Sequence, residues 1–139
     1  MKKLCFLLVL LLMLGCAVPA YAYEIEEPEP EIPVEPYSYT DITIESLDIE
    51  NGIASVYAYY YGYSGVTTGA EIEIKLQKRF LLFWWNDVDG GHWVDTFNTV
   101  SGGTSHGLTV PTGTYRAVIT YKVYGSGGGY DEISKTITE

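Results

Sequence analysis

Ala70-Glu71-Ile72-Glu73-Ile74-Lys75-Leu76-Gln77 alternates apolar and polar residues without a break. Successive side chains of a strand point to opposite faces, so this octet predicts a half-buried β-strand; a helix would need apolar residues three and four apart. The same period returns downstream, where Tyr115, Ala117, Ile119, Tyr121 and Val123 alternate with Thr114, Arg116, Thr120 and Lys122, interrupted only by Val118. Upstream, Ala54, Val56, Ala58 and Tyr60 share one face. Asn51-Gly52 just before them is a two-residue hairpin signal, because both central positions of such a turn need positive φ. Ile42 and Ile44, then Leu47 and Ile49, change parity at Glu45-Ser46, which predicts a bulge.

Breakers punctuate the remaining sequence at Ser64-Gly65, Asp89-Gly90-Gly91, Gly102-Gly103, Pro111-Thr112-Gly113 and Gly125 to Gly129. They predict seven or eight strands, near 40–49, 53–63, 69–79, 82–88, 92–99, 104–110, 113–124 and 130–138. Short strands at this spacing imply an all-β sandwich or barrel. A charged fraction of only 19%, with abundant Tyr, Gly, Thr and Ile, points the same way.

The residues before this domain read differently. Met1-Lys2-Lys3 followed by the aliphatic run Leu4 to Leu14 and by Ala20-Tyr21-Ala22 has the layout of a secretory signal cut after Ala22. The apolar run falls short of the ~20 residues that span a bilayer, so no stable membrane insertion is expected after cleavage. Residues 1–22 are thus expected to be a signal peptide and the protein to be secreted. The alternative is lipid anchoring through Cys16, which follows a small residue. Both cysteines, Cys5 and Cys16, lie in this segment, so the cleaved chain would carry no disulfide or thiolate site and must rely on packing. Residues 23–36, YEIEEPEPEIPVEP, combine six Glu with four Pro and predict an extended linker. One domain, 37–139, remains.

Charge narrows the partners. Eighteen acids against eight bases give a net charge of −10. That balance disfavours nucleic acid, whose binding depends on neutralising phosphates, and by the same argument an anionic lipid surface. Catalytic constellations are sparse. Ser105, His106 and Asp95 would nominate a nucleophile triad, but adjacent strand residues point to opposite faces. Glu71 and Glu73 share a face expected to meet solvent or Lys75. Asn86 to Gly91 offers oxygens for calcium, yet Gly91 and Asn98 stand where an EF-type loop needs ligands. An Asp-Gly hairpin loop is the stronger expectation for that stretch. The sequence therefore predicts no enzyme, no metal site and no cofactor.

Two aromatic features point to binding. Tyr57, Tyr59, Tyr61 and Tyr63 alternate with the core-facing residues of their strand and should form an outer stripe, suited to cross-strand packing or to a partner. Phe80-Leu81-Leu82-Phe83-Trp84-Trp85 is six apolar residues in succession, whereas a half-buried strand needs only every second one. About half are surplus to a single core by that alternation, with Trp84 or Trp85 facing outward.

The run His106-Gly107-Leu108-Thr109-Val110-Pro111-Thr112-Gly113-Thr114-Tyr115-Arg116-Ala117 resembles the corner between the fifth and sixth strands of fibronectin type III and related immunoglobulin-like domains. There a Leu ends one strand, a Pro-Gly turn follows, and a buried Tyr opening the next strand bonds back across the corner. The resemblance assigns those roles to Leu108, Pro111, Gly113 and Tyr115. It implies a single immunoglobulin-like, fibronectin type III-like sandwich of seven to eight antiparallel strands. Tyr60 stands where fibronectin modules usually carry a core Trp. Tyr63-Ser64-Gly65, Leu76-Gln77-Lys78 and Trp84-Trp85 also resemble features of short exported bacterial proteins of unknown function. The expected function is a secreted, non-enzymatic interaction module that meets an unknown protein or glycan through its aromatic surface. The alternatives are a carbohydrate-binding domain stacking sugars on Trp84, Trp85 and Trp93, and a structural or self-associating cell-surface protein.

Overall fold

The structure is a computed structural model and describes residues 37–139. The expected signal peptide 1–22, linker 23–36 and Cys16 lie outside the described residues. Seven strands follow one another: β1 (Thr40–Glu50), β2 (Ile53–Gly62), β3 (Thr67–Phe80), β4 (Trp84–Phe97), β5 (Ser101–Thr109), β6 (Tyr115–Gly125) and β7 (Tyr130–Thr138). They form two antiparallel sheets, one in the order β1-β2-β5 and the other β4-β3-β6-β7. The described residues contain no helix.

The three strands with strict alternation, β2, β3 and β6, are the interior strands of the two sheets. Their inward residues Ala54, Val56, Ala58 and Tyr60, then Ala70, Ile72, Ile74 and Leu76, then Tyr115, Ala117, Ile119, Tyr121 and Val123, are all fully buried. Leu47, Val110 and Ile133 complete the core from neighbouring elements. The residues of both sheets thus share one hydrophobic cluster in a sandwich-like arrangement. Among the described residues the seven strands all find their pairings and close one core within 37–139, so this segment holds what it needs to fold alone.

Local chemistry closes the ends. Asn51 (φ 54°) and Gly52 (φ 76°) both take the positive φ that the expected β1–β2 hairpin demands. The first strand is tied to the last by Asp131, whose Oδ2 accepts from the Tyr39 amide (2.7 Å), the Thr40 amide (2.9 Å) and Thr40 Oγ1 (3.0 Å). The Tyr39 ring lies on the glycine loop after β6, so close that a Cβ at Gly125 would stand 1.9 Å from Tyr39 Cε1. Only glycine fits there.

Four sequence expectations are corrected. Among the described residues the strands, expected as seven or eight, number seven, and the correction is that the stretches near 82–88 and 92–99, expected as two strands, are one, β4. Asp89-Gly90-Gly91 is accordingly no hairpin loop. Lys75 pairs with His92 and Gln77 with Asp87, so Val88 to Gly91 bulge out of β4, with Gly90 at φ 74° supplying the bend. The bulge expected at Glu45-Ser46 is absent: β1 pairs with β2 in unbroken register from Ile42 to Glu50. Ile42 and Ile44 therefore face outward and are exposed, while Glu45 turns inward with Oε1 buried and unpartnered. Finally, Phe80 to Trp85 is not one strand segment: Phe80 ends β3, Leu81 to Phe83 form the turn, and Trp84-Trp85 open β4, so the run is the end of the β3–β4 hairpin.

Candidate functional site

The hairpin follows from how far each strand runs. β6 starts at Tyr115, which pairs with Lys78 of β3. Beyond that rung the Arg79 amide still donates to the Thr114 carbonyl (2.9 Å), and β3 and β4 then continue alone, forming a two-stranded finger with rungs Arg79↔Trp85 and Phe80↔Trp84, closed by Leu81, Leu82 and Phe83. With no third strand or second sheet over them, these side chains have no core to enter. Phe80 is 54% exposed, Leu81 65%, Leu82 77%, Phe83 81% and Trp84 63%. Burying each fully would be worth ~1.5–3 kcal/mol, so five such residues in succession form an unusually apolar projection. Leu81 also adopts φ 55°, the left-handed region that glycine occupies without steric penalty.

The base of the finger is polar and ordered. Trp85 is half-buried between two guanidinium groups, with Arg79 5.1 Å and Arg116 4.5 Å from its ring centroid. Arg116 Nε donates to Gln77 Oε1 (2.8 Å), and Gln77 Nε2 donates to Asp87 Oδ1 (2.7 Å). Lys78 Nζ lies 5.7 Å from the centre of the Tyr115 ring. A cleft of about 290 Å³ opens here, lined among others by Lys78, Arg79, Phe80 and Tyr115. Tyr115 is fully buried and its hydroxyl donates to the Pro111 carbonyl across the corner. Gly113 gives Lys78 its room, since a Cβ there would approach Lys78 Cε to 2.5 Å. Leu108 packs against the core from β5.

The tyrosine stripe lies on the outer face of the β1-β2-β5 sheet. Tyr57 and Tyr61 are exposed and Tyr59 is half-buried, each with a β1 neighbour: Ser46, Ile42 and Ile44 respectively. Tyr59 lies against Gly103 of β5, where a Cβ would come within 2.7 Å of its ring. Much of this stripe is thus cross-strand packing. Tyr63, placed by sequence at the end of the stripe, sits past β2 in a turn, where its carbonyl accepts from the Val66 and Thr67 amides.

Trp93 stands apart from the other tryptophans. It pairs with Ile74, five β3 positions from Arg79, the partner of Trp85, and is half-buried with its ring stacked on His106 (centroids 4.9 Å apart, planes 9°). Trp84, Trp85 and Trp93 therefore do not make one platform. His106 Nε2 donates to Asp95 Oδ2 (2.6 Å), and Thr104 Oγ1 donates to the same oxygen (2.9 Å) while lying 3.0 Å from the same ring nitrogen. Burial works to raise the Asp95 pKa, but the His106 and Thr104 hydrogen bonds outweigh it and hold the carboxyl below its ordinary range. Sequence reasoning named His106 and Asp95 but missed Thr104. A triad needs one imidazole nitrogen for the acid and the other for the nucleophile; here both contacts use Nε2, and Ser105 faces the other side of β5. The cluster ties the edge strand of one sheet to the edge strand of the other.

On the remaining face, Glu73 Oε1 meets Lys75 (2.9 Å) and His92 (2.8 Å), and Glu71 meets Lys122 (3.6 Å). Among the described residues no three His, Cys, Asp or Glu side chains converge to hold a metal ion.

Neither a protein-family model nor a curated protein sequence matches the chain. A similar solved structure is that described as the ApaA protein of Bordetella pertussis, with 13% identity, a TM-score of 0.49, and coverage of 76% of this chain and 95% of the other.

Proposed function

We propose that the chain is a secreted, non-enzymatic interaction module built on an immunoglobulin-like sandwich nearest to fibronectin type III. The fold reading is supported by the order β1-β2-β5 against β4-β3-β6-β7 together with the tyrosine at the corner, buried and bonded back to Pro111. The functional reading rests on one observation: five successive apolar residues, Phe80 to Trp84, stand exposed on a finger that leaves the body of the domain. Water-exposed apolar surface of that continuity is the mark of a contact site. The tyrosine face, whose rings pack on β1 and β5, is the lesser surface.

The test pairs wild type with a Phe83→Ser, Trp84→Ser variant in light scattering over a concentration series and on a glycan array. Association lost in the variant, at an unchanged urea midpoint, supports the reading. Association that survives both substitutions removes the finger as the contact site.

A further inference from the structure

We infer that the finger inserts into the surface of a phospholipid bilayer, an inference that rests on its reading as a contact site. The argument is the layering of chemistry along the hairpin. Leu81, Leu82 and Phe83 form the tip, and the first rung behind them, Phe80↔Trp84, is also apolar and exposed. The second rung, Arg79↔Trp85, places a guanidinium beside an indole, and Arg116 reaches the same indole from β6. The third, Lys78↔Asn86, adds an ammonium, and the first acid, Asp87, comes only at the fourth, where the Gln77 amide holds it. Hydrocarbon-seeking residues first, then Trp with Arg and Lys, then acids, is the sequence of environments met on leaving a bilayer. Indoles favour the headgroup level, and basic side chains there meet phosphates.

Three of the six bases in residues 37–139 gather at this one place, Lys78, Arg79 and Arg116. Overall charge argues against an anionic surface, as the sequence suggests. At physiological salt, however, exposed charges are screened beyond ~8 Å, so the groups nearest the surface decide. The nearest charges are cations. The shape fits as well: a two-stranded projection is convex, which suits insertion into a fluid interface better than docking on a flat protein patch. Leu81 supplies a second observation. A left-handed turn position is conformationally cheapest with glycine, yet this one carries an apolar side chain 65% exposed at the tip.

The experiment uses residues 37–139, which lack the apolar N-terminal run. Co-sedimentation is measured with vesicles of phosphatidylcholine alone and of phosphatidylcholine with phosphatidylglycerol, while tryptophan emission is followed. The expected result is binding that is stronger on the phosphatidylglycerol vesicles and weakened by salt, with a shift of emission to shorter wavelength. Phe83→Asp should weaken it by at least about tenfold, as expected when an apolar anchor becomes a charge. Lys78→Ala with Arg79→Ala should weaken it by roughly twenty-five-fold, at about fivefold for each basic group. No partition onto either vesicle overturns the inference. So does binding that Phe83→Asp leaves intact, which would be adsorption by charge alone. If the domain instead associates with itself or a glycan, and Phe83→Asp abolishes that, the contact site stands and the bilayer assignment falls.

Discussion

Tyr115 joins the longest sequence-based expectation to a single bond. Its ring fills the core and its hydroxyl donates to the Pro111 carbonyl, so Tyr115→Phe leaves a carbonyl without its partner. The variant should lose ~1–2 kcal/mol, read as a lower urea midpoint at unchanged slope. Asp95 makes a pH-dependent contribution. Its folded carboxyl titrates below the ordinary range, so it binds its proton more weakly folded than unfolded. The stability it supplies is therefore complete above its unfolded value, about 3.9, and is lost as pH falls through the folded one. Asp95→Asn should flatten the fall of the thermal midpoint on acidification below about pH 4. Some slope will remain, because a hydrogen bond from Lys75, opposed by burial and joined by one from His92, also lowers Glu73. These residues were legible to different degrees. Tyr115 announced itself through the Pro-Gly turn before it, whereas Thr104 gave no signal, since the carboxylate it donates to, Asp95, lies on the other sheet.

At the scale of elements, alternation was readable where a strand has neighbours on both sides and a sheet beneath it. β2, β3 and β6 meet that condition, and every inward residue named from sequence is buried. Edge strands do not. β1 keeps unbroken register from Ile42 to Glu50 yet exposes Ile42 and Ile44 and turns Glu45 inward, so its apolar pattern misreports its pairing. β4 absorbs Asp89-Gly90-Gly91 as a bulge because β3 holds it on both sides of the insertion; the same glycines without that partner read as a turn. The true turn, Leu81 to Phe83, contains no glycine, proline or asparagine and so carried no turn signal. Leu81→Gly tests this element. Relief of the left-handed leucine should raise stability by ~1 kcal/mol, seen as a higher thermal midpoint, while contact through the finger weakens.

Across the whole of the described domain, two sheets close one core and leave the tip of the β3–β4 hairpin outside it, and that separation is the centre of the account. Stability belongs to β2, β3, β6 and their corner, and the proposed contact belongs to the finger. The sequence held half of this: six apolar residues exceeded what one core can take, but alternation within a strand was the wrong geometry for them. Urea unfolding of the Phe83→Ser, Trp84→Ser variant tests the separation most directly. The account predicts a midpoint within about 0.5 kcal/mol of wild type, the range of surface substitutions. A loss of ~3 kcal/mol or more, the scale of an emptied aromatic core site, would place the two rings in the core and contradict it.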